Sequence, residues 1–141
     1  ELPSMLETVT GLEFTYGHLI YLGDRRGTFE RKPALKQESV FDEDSVRTVL
    51  ANRELRMDCS GDGIADLVEV NLKGELGVRR VVKESSFFGG TTWQIDDGYW
   101  KQYASRGSVS SLTVRDLNGD RLGDIISASD STLTIYLSQK R

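Results

Sequence analysis

Two nine-residue segments, 58 residues apart, constrain this chain more than any other feature. Asp58-Cys59-Ser60-Gly61-Asp62-Gly63-Ile64-Ala65-Asp66 and Asp116-Leu117-Asn118-Gly119-Asp120-Arg121-Leu122-Gly123-Asp124 both place oxygen-bearing side chains at positions 1, 3, 5 and 9 of a glycine-containing loop. In such a loop alternate residues point inward, a main-chain carbonyl near position 7 adds a ligand, and water completes the shell of a hard cation. Three carboxylates in one short loop repel one another unless a positive charge lies between them. The expected ion is calcium (Ca2+), up to two per chain. The expected ligands are Asp58, Ser60, Asp62, Asp66 and the carbonyl of Ile64 in the first loop. In the second they are Asp116, Asn118, Asp120, Asp124 and the carbonyl of Leu122.

The flanks repeat as well. Glu54-Leu55-Arg56-Met57 and Ser111-Leu112-Thr113-Val114 precede the loops; Leu67-Val68-Glu69-Val70 and Ile125-Ile126-Ser127-Ala128 follow them. Leu19-Ile20-Tyr21-Leu22 recurs as Thr134-Ile135-Tyr136-Leu137, and a β-branched run near Leu76 to Val82 stands where a middle copy belongs. A period of about sixty residues is the scale at which one small antiparallel sheet repeats as a propeller blade. Strand-forming runs dominate, with 14 glycines as punctuation and only two prolines. The expectation is a single all-β domain over 1–141, with antiparallel propeller-blade-like sheets, about two repeats (roughly 11–70 and 71–137) and two calcium-binding loops. One short helix is expected over Asp44 to Ala51, capped by Asp44 or Ser45.

The loop pattern, followed by Leu or Ile and another apolar residue, resembles the FG-GAP repeat, also called the VCBS or integrin-like β-propeller repeat. Leu19-Ile20-Tyr21-Leu22-Gly23-Asp24-Arg25-Arg26-Gly27-Thr28-Phe29 looks like the outer-strand hairpin that precedes each calcium loop in that family. The resemblance weakens over 30–52 and 83–108. It implies a propeller of about seven blades, of which this chain holds about two. Two positions depart from the pattern: Ser60 is a weaker ligand than Asp or Asn, and Arg121 stands where glycine is usual. A non-glycine residue in the left-handed region costs roughly 1 kcal/mol.

Other chemistries have less behind them. Glu69 sits at position 12 of the first loop, as in an EF-hand, but the following residues are β-formers and an EF-hand needs flanking helices. Asx-rich turns without metal are the plainer alternative, which two copies at one spacing disfavour. His18 is the only histidine and Cys59 the only cysteine, so zinc is poorly supported and no internal disulfide is possible. A Cys59–His18 dyad is conceivable, but position 2 of a cation loop points away from the ion and nothing marks a low thiol pKa. Asp42-Glu43-Asp44 and Asp96-Asp97 read as solvated charge runs. No catalytic residues are expected, and the chain is read as a non-enzyme.

Formal charge is -4, and six of the 22 acidic residues lie in the two loops, so two calcium ions would bring the charge to about zero. Arg25-Arg26 and Arg79-Arg80 are isolated pairs, which gives no patch for nucleic acid. No apolar run reaches membrane-spanning length. Loops with few charged ligands fill where calcium is abundant, so the expected location is periplasmic, secreted or at the cell surface. Phe87, Phe88, Trp93, Tyr99, Trp100 and Tyr103 place six of the 12 aromatic residues within 17 positions. The rings fill a sheet core or form an exposed binding face. The function expected is a calcium-binding protein-interaction module. Its narrower form is an inhibitor or immunity protein that blocks a secreted cell-wall-degrading enzyme. The alternatives are a glycan-binding module (the resembled family includes lectins) and a fragment of a larger integrin-like propeller.

Overall fold

The computed structural model describes residues 14–23, 26–41, 52–71, 73–85, 89–104 and 107–140. Among them are eleven strands, every pairing is antiparallel, and there is no helix. The helix expected over Asp44 to Ala51 lies outside the described residues. The chain divides into two compact units, Glu1–Arg47 and Thr48–Arg141.

In the first unit, β1 (Phe14–Ile20) pairs with β2 (Leu35–Phe41) in continuous register from Phe14↔Phe41 to Ile20↔Leu35. The link between them doubles back on itself. Gly23 bridges Phe29, the Glu30 N–H donates to the Leu22 carbonyl (3.0 Å), and Gly27 turns at φ = 78°. Glycine is what lets the chain take that left-handed step without a Cβ clash.

The second unit holds β3 (Arg53–Leu55), β4 (Leu67–Val70), β5 (Leu76–Arg79), β6 (Val81–Ser85), β7 (Thr91–Ile95), β8 (Lys101–Tyr103), β9 (Ser111–Arg115), β10 (Asp124–Ala128) and β11 (Leu133–Tyr136). They form a sheet of order β3-β4-β5-β8, a hairpin β6-β7 and a sheet of order β9-β10-β11. The sequence repeat is therefore a three-stranded meander. In each copy the Asp-rich loop joins the first strand to the second, and a tight turn joins the second to the third. Asn71 closes one such turn by accepting the N–H groups of Lys73 and Glu75 on its side chain. The Ser129 N–H closes the other by donating to the Thr132 carbonyl.

Register shows how the two meanders pack. Val68 lies opposite Val78, and Val70 opposite Leu76. In the second copy the same pairs are Ile126 opposite Ile135 and Ala128 opposite Leu133. The other face pairs Leu67 with Arg79 and Glu69 with Gly77, and its equivalent pairs Ile125 with Tyr136 and Ser127 with Thr134. The buried core joins Val68, Val70, Leu76 and Val78 of the first sheet to Leu112, Val114 and Ile125 of the second. One face of the first meander thus packs on the opposite-type face of the second. Face contacts of this kind are heterologous, and they leave one face of the last member open. Among the described residues the sheets are antiparallel and no sheet closes on itself.

The outward face of the first sheet is covered too, which is why all four residues of β4 are buried. Glu69, itself buried, meets Arg53 at 2.8 Å and Arg79 at 3.6 Å. The Tyr99 hydroxyl donates to Glu69 at 3.2 Å. The Tyr99 ring lies over Gly77, where an added Cβ would come within 2.3 Å of it.

Candidate metal centres and the cleft beside them

Both Asp-rich loops share four main-chain-to-carboxylate hydrogen bonds. The position-1 carboxylate accepts two main-chain donors: Gly61 (2.6 Å) and Gly63 (2.7 Å) on Asp58, Gly119 (2.7 Å) and Arg121 (2.9 Å) on Asp116. Position 5 accepts from the N–H two residues on, Ile64 to Asp62 and Leu122 to Asp120, at 2.8 Å in each case. Position 9 reaches back to the N–H of position 2, Cys59 to Asp66 (2.8 Å) and Leu117 to Asp124 (2.7 Å). Each short carboxylate substitutes for a ladder partner, the preference that draws Asp and Asn to turns. Gly61, Gly63 and Gly119 take positive φ, and so does Arg121 at 71°, the only non-glycine residue to do so among those described.

The two loops touch. The Gly123 N–H donates to the Asp58 carbonyl at 2.7 Å. A Cβ on Gly123 would fall 2.7 Å from Val114, 2.8 Å from the Cys59 sulfur and 2.9 Å from Met57. The loops therefore carry the contact between the meanders at one end of the core.

Position 9 is wholly buried in both loops. Asp124 is satisfied there, with Oδ2 taking Leu117 and Oδ1 taking the Ser138 N–H at 2.8 Å. On Asp66, Oδ2 takes the N–H groups of both Cys59 and Ser60 at 2.8 Å, while Oδ1 has no hydrogen-bond partner. The Ser60 hydroxyl lies 3.3 Å from Asp58 Oδ1 and also hydrogen-bonds to the Asp66 carboxylate, so its single proton is shared between two acceptors. Burial raises the Asp66 pKa, the Cys59 and Ser60 donors oppose the rise, and the Asp62 charge adds to it. An orphaned, buried carboxylate oxygen fits a cation. Asp58, Ser60, Asp62, Asp66 and the Ile64 carbonyl are the residues that would hold it, with solvent reaching the loop through exposed Gly61, Asp62 and Gly63. Among the described residues no group of three or more His, Cys, Asp or Glu side chains is already gathered on one point. The carboxylates instead face the main-chain donors just described.

Cys59 belongs to the core. Burial, then the charges of Asp66, Asp58 and Asp124, push its thiol up to about 12, the reverse of an activated nucleophile. His18 lies on β1 in the other unit.

The aromatic run separates by role. Phe87 and Phe88 lie outside the described residues. Tyr99 is committed to Gly77 and Glu69, and Tyr103 packs against Tyr136 with the rings tilted by 48° and 4.3 Å between centroids. Trp93 is half-buried on β7 with the Lys83 ammonium 5.6 Å from its ring centroid. Trp100 is the exposed ring, at 41%. It borders a cleft of about 790 Å³ lined by Cys59, Ser60, Leu122 and Ser138, with Lys101 and Lys140 at the same cleft. Sequence reasoning named Trp100 but missed Ser138 and the two lysines. Ser138 carries no motif; it matters because its N–H and hydroxyl close the second loop, on Asp124 and on the Gly123 carbonyl.

No family model, no curated protein and no solved structure matches the chain in comparisons with known proteins.

Proposed function

We propose that this chain is a non-enzymatic, calcium-tied β module that works outside the cytosol by binding a protein partner. The observation that carries the calcium reading is the buried Asp66 carboxylate, whose Oδ1 has no donor while the rest of its loop is hydrogen-bonded. Calcium supplies the missing charge there and has a structural role, holding β3 and β4 in place around a loop with no apolar core of its own. Trp100 beside the lysine-bearing cleft is the surface this reading assigns to the partner. A thermal melt of the full chain in calcium and in EGTA tests the metal. A rise of several degrees in calcium is expected, because a ligand that binds only the folded state stabilises it. Equal melting points at millimolar calcium would overturn the reading.

The open sheet face favours a second reading, in which the chain is one stretch of a longer array of the same repeats. Leu133 and Ile135 are exposed at 66% and 49%, yet they occupy the register positions of Leu76 and Val78, which are buried at 1% and 0% in the first meander. The occupant this face fits is a further meander of the same kind, presenting the equivalent of the Leu112–Val114–Ile125 face. Lacking that neighbour, the isolated chain would self-associate through its apolar strip. Light scattering on a size-exclusion column decides between the outcomes, and a monomer at every concentration counts against the array.

A further inference from the structure

We infer that the two loops are not equivalent: the first is the cation site, and the second is closed by the chain itself and keeps its shape without a cation. This rests on the calcium reading above and adds to it which loop is filled.

The two loops share their main-chain hydrogen bonds to positions 1 and 5 and the bond from position 2 to position 9. They differ at what surrounds position 9. In the second loop the chain leaves β11 and passes back under the loop, where the Ser138 N–H reaches Asp124 Oδ1 at 2.8 Å. In the first copy the chain leaves β5 in another direction, entering β6 and pairing Val81 with Ile95 of β7. No donor arrives at Asp66 Oδ1, although that side chain is as fully buried as Asp124. An unpartnered acceptor in a buried site is destabilising, and a bound cation relieves it.

Position 3 differs in the same sense. The Asn118 amide is engaged at both ends: its Oδ1 accepts from the Asp120 N–H at 2.9 Å, and its Nδ2 donates to the Ser138 carbonyl at 3.2 Å and to Asp120 at 3.3 Å. The Ser60 hydroxyl donates within its own loop, 3.3 Å from Asp58 and shared with Asp66, and a donating hydroxyl oxygen keeps lone pairs with which to accept. Position 6 separates the loops again. Gly63 takes positive φ there at no steric cost, whereas Arg121 holds φ = 71° with a Cβ in place. A cation drawing on Asp124 Oδ1 or Asn118 Oδ1 in the second loop would compete with the Ser138 and Asp120 N–H groups that already hold them. One entering the first meets Asp66 Oδ1, a carboxylate oxygen with no such donor.

Calorimetric titration of the full chain with calcium, paired with terbium luminescence excited through the protein's aromatics, tests this. The matched variants are Asp62→Ala and Asp120→Ala, both at position 5 and away from the buried core, with circular dichroism to confirm that each folds. The expected result is one tight site per chain, weakened roughly tenfold or more by Asp62→Ala and changed less than about threefold by Asp120→Ala. Two sites of equal affinity, or a tight site lost only in Asp120→Ala, would overturn the inference and leave the calcium reading standing. No binding of either ion to the native chain would overturn both.

Discussion

Gly77 and Tyr99 show how much one missing side chain can position. Gly77 lies opposite Glu69 in the β4–β5 register, and the absence of a Cβ opens the space in which the Tyr99 ring settles with its hydroxyl on Glu69. That contact covers an ion pair whose carboxylate side chain is only 4% exposed, and burying charge this far demands that its hydrogen-bonding partners stay in place. Gly77→Ala is expected to evict the ring and cost about 1–3 kcal/mol in urea denaturation. In a Tyr99→Ala background the same change should cost clearly less, since the clash is gone; equal costs in both backgrounds would sink the account. Arg121 is the opposite case, a side chain where the backbone favours none. Relief of its φ of 71°, offset by the looser unfolded chain that glycine brings, predicts that Arg121→Gly raises stability by about 0.5–1 kcal/mol.

At the scale of elements, the contact between the loops ties the two meanders. The Gly123 N–H holds the Asp58 carbonyl, and the glycine's bare Cα sits against Val114, Cys59 and Met57. Atoms of both meanders border that Cα, so a methyl group there cannot be absorbed by one flexible side chain. Gly123→Ala should lose about 2–3 kcal/mol. Gly98→Ala, where nothing lies within 4 Å, is the control and should stay within about 0.5 kcal/mol. Equal effects in urea denaturation would show that the loop contact is not a fixed joint. The same joint passes through position 1 of the first loop, so Gly123→Ala should also shrink the melting-point rise that calcium gives.

For the whole molecule, the face-to-opposite-face packing of the second unit has a direct consequence. It buries Val68, Val70, Leu76 and Val78 and leaves Ile126, Ala128, Leu133 and Ile135 without an equivalent cover in the described residues. Ile135→Lys puts a charge in the middle of that strip while leaving the inner face of β11, which carries Tyr136, unaltered. If the strip drives self-association, the variant should run as a monomer at concentrations where the parent chain does not, with a melting point within a few degrees of it. A variant that associates as the parent does would place the driving surface elsewhere.

The alternation of apolar residues and the paired Asp loops were enough to specify an all-β chain built on a repeated meander. Both signals are local: strand period and loop chemistry are set by neighbours in sequence. The β4, β5, β10 and β11 segments and the left-handed Arg121 were legible on that basis. What the repeat could not reveal is where it breaks. Asp66 and Asp124 look alike in sequence, yet only Asp124 receives the Ser138 N–H, because one chain returns under its loop after the third strand and the other departs into β6. Likewise the aromatic run was one cluster in sequence, and tertiary packing divided it into rings that cover Gly77 or Tyr136 and one, Trp100, that faces a cleft. Hydrogen-bond satisfaction and ring burial are decided by segments distant in sequence, so only the folded chain distinguishes loops and rings that the sequence makes look the same.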